Sequence, residues 1–262
     1  MSRADPGRRR ARLPPGRTAL VTGASSGIGA ATARLLDAEG IRVAVVGRDL
    51  TALVDVARDF TGPVTIQADL ATSTGPSEAV AQAVAALGRL DIVISNAGAG
   101  WAGPFQTMTA GELDAVLDIN LRAGAHLLRA ALPHLIAGGG GQIVLVGSIT
   151  GLLPLGGEAA YSASKAGLAA LGEALRVELR PRGVKVSVVN PGVVATDFFR
   201  RRNQPYARAW PSPIPASEVA EAILYCLAHG CPDRVVPGWL GLPVRIRRVL
   251  PNAYRMLSDR LS

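Results

Sequence analysis

Cysteine and aromatic residues are scarce in this chain, and each scarcity argues against a class of protein. The only cysteines are Cys226 and Cys231, too few for a disulfide framework or a thiolate metal site. We therefore expect two reduced thiols in a cytoplasmic protein and no bound metal. Aromatic residues make up 4% of the sequence, and they form no stripe with basic residues of the kind that marks a nucleic-acid surface. No apolar run approaches the roughly 18 residues of a membrane-spanning helix.

Lysine is nearly absent, although the chain is basic. Of the 28 basic residues, only Lys165 and Lys185 are lysines, so we take a lysine here to mark a place where a guanidinium will not serve. The net charge of +8 comes largely from the two ends, since residues 1–17 carry six arginines against Asp5 and residues 241–262 carry five against Asp259. Such charge runs usually form solvated tails. With no base-reading motif in the sequence, we expect no nucleic-acid partner.

From residue 17 onward, short apolar segments alternate with helical patterns. Segments rich in β-branched residues predict strands at 17–21, 42–46, 64–66, 91–95, 142–146 and 184–189, and a last one at 234–236. Helical spacing predicts helices at 28–38, 50–59, 78–87, 112–136, 161–179 and 217–228, the fourth with a Thr109–Glu112 capping box. This alternation predicts an α/β fold, a Rossmann-like doubly wound parallel sheet with helices on both faces. We expect a single domain at 17–240, a disordered basic arm at 1–16 and a basic amphipathic extension at 241–262.

The stretch TGASSGIG, residues 22–29, forms the turn between the first predicted strand and the first helix. In a doubly wound sheet this turn binds a dinucleotide pyrophosphate on backbone N–H groups and the positive end of the helix. Gly23 would take the tight turn, Gly27 would let the backbone approach phosphate, and Gly29 would let the helix pack on the strand. The spacing Gly-x-x-x-Gly-x-Gly departs from the commoner Gly-x-Gly-x-x-Gly, and a loop that only caps the helix would also use glycine.

The end of the second predicted strand bears on which dinucleotide is bound. An NAD site uses a carboxylate there for the ribose 2′-hydroxyl, whereas this strand ends Val45-Val46-Gly47-Arg48. Arg48 can pair with a 2′-phosphate. Asp49 comes late and can cap the next helix. The sequence therefore favours NADP(H) over NAD(H).

The sequence YSASK places Tyr161 and Lys165 at i and i+4, on one face of a predicted helix. A phenol with a pKa near ~10 is a poor acid–base catalyst at neutral pH, and an adjacent ammonium favours the phenolate. A surface Tyr/Lys pair would have the same spacing. Ser148, however, lies at the carboxyl end of the fifth predicted strand, the edge where such sheets bind ligands. The three side chains could therefore converge beside a nicotinamide.

The chain resembles the short-chain dehydrogenase/reductase family across residues 17–240. The matching motifs, in family order and spacing, are Thr22-Gly23-x-x-x-Gly27-x-Gly29, Asp69, Asn96-Ala97-Gly98, Asn120, Ser148, Tyr161-x-x-x-Lys165 and Pro191-Gly192 with Thr196. Ser95 is a departure, because many members have a second asparagine before Asn96. Asn96 itself is present, so we expect little consequence.

The resemblance implies a role for each matching residue. Tyr161 would be the general acid in reduction and the base in oxidation, Lys165 would lower the Tyr161 pKa and hold the nicotinamide ribose, Ser148 would orient the substrate carbonyl, and Asn120 would hold a water in the proton relay. The residues expected to contact the cofactor are Gly23, Ser25, Ser26, Gly27, Ile28, Gly29, Arg48, Asp69, Leu70, Asn96, Ala97, Gly98, Tyr161, Lys165, Pro191, Gly192, Val194 and Thr196.

The expected function is NADP(H)-dependent hydride transfer to or from a carbonyl/secondary alcohol substrate. Trp101, Phe105, Phe198 and Phe199 fall in the loops after Gly98 and Gly192, where they would line an apolar substrate pocket or belong to the core. The alternative from another class is a sensor or scaffold that keeps the fold and binds the cofactor. The presence of all four residues of the predicted catalytic set favours an enzyme. The resemblance also implies a homodimer or homotetramer, paired through helices 112–136 and 161–179.

The C-terminal extension carries an apolar stripe at helical spacing with arginines on the other side. Pro251 would bend or interrupt its helix. We expect the stripe to pack on its own domain or on a sister subunit and to help cover the substrate cleft. The alternative is a peripheral enzyme that lies on an anionic membrane and acts on lipid-like substrates. The stripe consists of Ile246, Val249, Leu250, Ala253, Tyr254, Leu257 and Leu261.

Overall fold

The centre of the structure is a parallel sheet of seven strands in the order β3-β2-β1-β4-β5-β6-β7. The computed structural model describes residues 13–202, 204, 206 and 210–252. The strands are β1 Thr18–Thr22, β2 Arg42–Gly47, β3 Val64–Gln67, β4 Ile92–Ser95, β5 Gly141–Val146, β6 Val184–Pro191 and β7 Asp233–Val236. β1, β4 and β5 are buried at every position, because helices cover both faces of the sheet.

The strand order reverses between β1 and β4. The first three strands run outward from β1, and the chain then returns to place β4 on its other side, with Val21 opposite both Val45 and Ile94. Two neighbouring strand-to-helix connections diverge at such a reversal and leave a crevice at the carboxyl ends of the strands. The fold therefore places a ligand cleft beside the TGASSGIG turn.

Two helical layers enclose the sheet, one on each face. One core joins apolar residues of α1 and α9 to the sheet, and the other does so for α3, α5 and α7. The helices are α1 Gly27–Ala38, α2 Leu50–Ala57, α3 Gly75–Leu87, α4 Ala110–Leu117, α5 Ala123–Ala137, α6 Ile149–Leu152, α7 Ala159–Leu179, α8 Phe198–Arg201, α9 Ala216–His229 and α10 Gly241–Val249.

The predicted doubly wound α/β fold is confirmed, and one predicted helix proves to be interrupted. The segment predicted as a single helix at 112–136 consists of α4, a π-helical turn at Asp118–Arg122 and α5. The Asn120 side chain, within this turn, hydrogen-bonds the backbone of Ala99. The residues of the turn carry no local signal against an ordinary α-helix, so only this long-range contact marks it. The Thr109–Glu112 capping box is confirmed.

The expectation of two reduced thiols is wrong, because Cys226 and Cys231 form a disulfide. Gly230, with φ +65°, ends α9 in the left-handed conformation and turns the chain back. The two Cα atoms thereby come within 4.8 Å of each other. The correction also removes the cysteine argument for a cytoplasmic location. Among the described residues, no group of three His, Cys, Asp or Glu side chains is arranged to hold a metal ion.

The two ends of the described chain both contact the domain. Leu13, within the predicted arm, is buried in the core beside α1, while residues 1–12 lie outside the described residues.

At the other end, α10 contacts the domain through the buried Val244 and through Arg247, which donates to the carbonyl oxygen of Leu152. The predicted apolar stripe does not form this contact, since Val249 and Leu250 are 77% and 57% exposed, and its members from Ala253 onward lie outside the described residues. The helix ends before Pro251, as predicted. No helix in the described part of the chain is long and apolar enough to cross a membrane.

Candidate active site

A cleft of about 1590 Å³ opens at the carboxyl ends of β1, β2, β4, β5 and β6. It extends from the TGASSGIG turn and Arg48 at one end to Ser148 and Tyr161 at the other. All predicted catalytic and cofactor residues line it except Gly29 and Asn120. The fold therefore brings together predicted residues as far apart in the sequence as Gly23 and Thr196.

The glycines of the turn are required for two different reasons. Gly23 and Gly27 adopt φ +63° and +56°, where a side chain is strained. Gly29 has no such φ, but a Cβ on it would lie 2.3 Å from the Gly23 carbonyl oxygen. Gly29 thus serves the packing of α1 against the turn and lies behind the cleft, which is the role its position predicted.

Hydrogen bonds join the glycine turn to the Asn96-Ala97-Gly98 segment. The Asn96 side-chain amide donates to the carbonyl oxygens of Thr22 and Gly23, at 2.9 and 3.2 Å. The Thr22 hydroxyl accepts from the backbone N–H groups of Asn96 and Ala97, at 2.9 and 3.2 Å. These bonds fix the ends of β1 and β4 to each other, so two walls of the cleft form one rigid unit.

At the end of β2, the carboxylate and the guanidinium have different positions. Asp49 is the N-cap of α2, and its Oδ1 accepts from the Ala52 N–H at 3.0 Å, which confirms the capping role considered for it. Arg48 is exposed and lines the cleft. Asp69, after β3, also lines the cleft, and its Oδ1 accepts from the Ala71 N–H at 3.0 Å. Within the described part of the chain, Arg48 therefore has no carboxylate partner, and both nearby carboxylates are engaged in local turns.

Ser148, Tyr161 and Lys165 converge at the opposite end. Ser148 is the N-cap of α6, and its hydroxyl oxygen accepts from the Thr150 N–H and hydroxyl, at 3.2 and 3.0 Å. Tyr161 and Lys165 lie on one face of α7, with the Lys165 Nζ 5.9 Å from the centre of the Tyr161 ring. The Lys165 ammonium also donates to the Val146 carbonyl oxygen at 3.0 Å, which ties α7 to the end of β5.

Burial controls the protonation of Tyr161 and Lys165 in the cofactor-free protein. Burial raises the pKa of Tyr161 to about 12; the Ser148 hydrogen bond lowers it, Glu158 adds to the rise, and Arg202 opposes it. Burial lowers the pKa of Lys165 to about 8. The expectation of a phenol acidified by the neighbouring ammonium is therefore not met in this state. Tyr161 is held as a neutral phenol that can donate a proton.

Asn120 contacts the cleft wall from behind. It is 1% exposed, and its Nδ2 donates to the Ala99 carbonyl oxygen and to the Ser164 hydroxyl, at 2.8 and 3.2 Å. Its Oδ1 accepts from the Ala99 N–H at 2.9 Å. Both N–H donors are used within the protein, so the side chain holds the loop after Gly98 in place.

One wall of the cleft comes from α8, which the sequence did not predict. The Phe198 ring lies 5.4 Å from the Tyr161 ring, and the Phe199 ring packs 5.5 Å from that of Phe198. Beside them, Arg202 and Glu158 also line the cleft and form a largely buried ion pair at 2.7 Å. The run Phe-Phe-Arg-Arg-Arg at 198–202 was the available sequence signal, but it gives no register relative to Tyr161.

The two other aromatic residues considered for this pocket have different surroundings. Trp101 packs behind Tyr161 against Val116 and Ala160. Phe105 is 55% exposed and does not line the described cleft.

Comparison with known proteins identifies the family. The profile of the short chain dehydrogenase family matches residues 17–207. An uncharacterized oxidoreductase of Myxococcus xanthus is 35% identical over 240 residues, which cover 90% of this chain and 93% of that protein. The chain therefore belongs to the short-chain dehydrogenase/reductase family and is an oxidoreductase of that type.

Solved structures agree with this assignment. A metagenomic short-chain oxidoreductase in complex with NADP is 35% identical with a TM-score of 0.72, covering 85% of this chain and 97% of that one. A short chain dehydrogenase/reductase from Burkholderia phymatum in complex with NAD is 23% identical with a TM-score of 0.82, covering 89% and 93%. The second comparison shows the fold alone.

Proposed function

We propose that the protein transfers hydride between NADP(H) and a carbonyl/secondary alcohol pair carried on a largely apolar molecule. The observation that carries this proposal is the single cleft that joins the glycine turn at one end to Ser148, Tyr161 and Lys165 at the other. An extended dinucleotide fits such a cleft with its pyrophosphate at the turn and its nicotinamide beside Tyr161.

The residues at the turn suit a pyrophosphate. Gly23 and Gly27 carry no side chain where a phosphate would approach, and the first turn of α1 has no acidic residue. The helix N-terminus therefore presents an unopposed positive end to an anion. At the end of β2, Arg48 suits a 2′-phosphate, and Asp49 is occupied as a cap. These features support NADP(H) over NAD(H), and the related metagenomic enzyme is described with NADP bound.

The residues near Tyr161 support acid–base catalysis on a carbonyl oxygen. When bound, the nicotinamide supplies or accepts the hydride. In the reductive direction the Tyr161 hydroxyl donates its proton to the substrate oxygen as the carbonyl carbon gains hydride, and Ser148 donates a hydrogen bond to the same oxygen. Lys165 places a positive charge near the phenolate that remains, which favours that charged form. Oxidation of the alcohol reverses these steps.

The apolar side chains near Tyr161 in the cleft indicate the character of the substrate. Leu153, Leu155, Phe198 and Phe199 line this part of the cleft. The neighbouring Arg202 and Glu158 form an ion pair with each other, so together they offer no net charge to a ligand. An apolar body next to the reacting carbonyl matches this surface.

Arg48→Ala tests the cofactor assignment. Only NADPH carries the 2′-phosphate, so loss of one charge-assisted contact should weaken NADPH by about 1.5–3 kcal/mol, or roughly ten- to hundred-fold, and should leave NADH affinity nearly unchanged. Calorimetric titration with each cofactor measures both values. Arg34→Ala, an exposed arginine on α1 outside the cleft, is the control for loss of a positive charge. Equal effects of Arg48→Ala on NADPH and NADH would show that Arg48 is not the discriminator.

The family resemblance also supports a homo-oligomer, and we include this in the proposal. The two helices that would pair, α5 and α7, lie on the same face of the sheet. Val177 on α7 is 74% exposed, and pairing through α7 would bring a partner subunit close to it. Sedimentation velocity at micromolar concentration should show a dimer or tetramer. Val177→Glu should shift that equilibrium toward the monomer, whereas a monomeric wild-type protein would refute the assembly.

A further inference from the structure

α8 and its C-cap carry three consecutive arginines, of which Arg201 and Arg202 line the cleft, and the three differ in their partners. Arg200 pairs with Asp197 at 2.6 Å, and Arg202 pairs with Glu158 at 2.7 Å. Arg201 has no carboxylate within salt-bridge distance among the described residues. Its Nη2 donates to the Ser26 hydroxyl at 2.6 Å. Arg201 is therefore the one guanidinium of the three that has no carboxylate partner among the described residues.

The partner of Arg201 belongs to the glycine turn. Ser26 is the N-cap of α1, but its side chain makes no capping hydrogen bond to the helix, so its hydroxyl is available to Arg201. Thr196, five residues before Arg201, lies close to the same turn. Its Cγ2 is 3.0 Å from the position that a Cβ of Gly27 would occupy. The loop from β6 to α8 therefore covers the turn on the side that faces the cleft.

The result is an uncompensated positive site. The N-terminal end of α1 carries a partial positive charge, no acidic residue lies in its first turn, and the Arg201 guanidinium stands beside it. A guanidinium binds the oxygens of phosphate in a planar, two-pronged contact that a hydroxyl cannot match. An anion at the turn would therefore be a far stronger partner for Arg201 than Ser26 is.

We propose that Arg201 binds the pyrophosphate of the dinucleotide beside the glycine turn and so holds α8 against the cofactor. The inference rests on the proposed function, because it takes a dinucleotide as the ligand of the cleft. Phe198 lies on the same short helix and packs on Tyr161. Pyrophosphate binding therefore positions the wall of the substrate pocket.

Calorimetric titration of Arg201→Ala separates this role from that of Arg48. NADPH and NADH share the pyrophosphate, so Arg201→Ala should weaken both by the same factor. We expect about tenfold, the lower end for a charge-assisted contact, because the side chain is exposed. Adenosine 2′-monophosphate lacks the pyrophosphate and should bind wild type and variant equally. Arg200→Ala, which removes a neighbouring and already paired arginine, is the matched control and should change none of the three affinities.

Protection from trypsin reports the position of α8 without any turnover measurement. Trypsin cleaves after arginine. In the wild type, NADPH should slow cleavage after Arg200 and Arg202. In Arg200→Ala, it should slow cleavage after the arginines of this segment that remain. In Arg201→Ala, at a concentration of NADPH that saturates the variant, this protection should be lost. Adenosine 2′-monophosphate should protect none of the three proteins from trypsin.

The outcomes are distinguishable. If wild type binds neither NADPH nor NADH, the proposed function fails. If wild type binds them and Arg201→Ala binds them equally well, the cofactor site stands and the Arg201 inference is overturned. A loss of adenosine 2′-monophosphate binding in Arg201→Ala, equal to its loss for NADPH, would also overturn it, since the effect would then be independent of the pyrophosphate.

Discussion

Tyr161→Phe should lower kcat by about 10²–10⁴-fold, the usual contribution of a positioned acid or base, and leave cofactor affinity nearly unchanged. The substitution removes only the hydroxyl, and the ring that packs 5.4 Å from Phe198 remains. Because burial raises the pKa of Tyr161 to about 12, the wild-type residue is protonated throughout the neutral range and can donate to a carbonyl oxygen. The measurement is steady-state reduction of a panel of ketones, followed by nicotinamide absorbance.

The control is Tyr225→Phe, which removes a hydroxyl on α9. The Tyr225 ring stacks on His229 and does not line the cleft. The turnover of this variant should match wild type. Near-normal turnover in Tyr161→Phe would contradict the proposed mechanism. If wild type itself binds NADPH but reduces no member of a broad panel, the result would favour a sensor or scaffold over an enzyme.

Lys165→Arg should be nearly as damaging, although it keeps the positive charge. Lys165 is 4% exposed, and its ammonium donates to the Val146 carbonyl oxygen at 3.0 Å. A planar guanidinium cannot enter this space without displacing α7 or β5. Misplacement of a catalytic group by about 1 Å can cost about 10²-fold, and we expect a loss of at least this size in kcat/KM. Lys185→Arg, which changes the exposed lysine of β6, should have no effect.

The pH profile adds a second readout for Lys165. Burial lowers its pKa from 10.5 to about 8, so the side chain is charged below that pH and neutral above it. The kcat/KM of wild-type reduction should therefore decline above about pH 8, since this parameter reports the groups of the enzyme before substrate binds. Arginine stays protonated throughout this range, so the residual activity of Lys165→Arg should lack the decline. The same decline in both proteins would assign it to another group.

The features that the sequence predicted are those with a local physical signature. Strands buried on both faces appear as continuous apolar runs, and β1 and β5 were located in this way. Gly23 and Gly27 are needed for a left-handed backbone, and Tyr161 and Lys165 share a helix face because of their spacing. Each of these follows from at most eight consecutive residues.

The features that the sequence did not predict depend on contacts between distant segments. The π-helical turn at Asn120 is held by Ala99, 21 positions earlier. Arg201 hydrogen-bonds Ser26 across 175 positions of the sequence. No sequence pattern near either residue predicts this contact. Burial raises the pKa of Tyr161 in the cofactor-free protein, and sequence spacing does not report burial.

The position of the tryptophans makes ligand binding visible without any label. The chain has three tryptophans. Trp101 packs behind Tyr161, and Trp210 and Trp239, with ring centres 4.9 Å apart, each precede a residue that lines the cleft, Pro211 and Leu240. Reduced nicotinamide absorbs light in the range where indole emits, so excitation energy can pass from an indole to a nicotinamide bound nearby. Under the proposed function, quenching of the protein's own fluorescence should therefore give a direct titration of NADPH or NADH, and replacing each indole in turn should show which part of the cleft the signal reports.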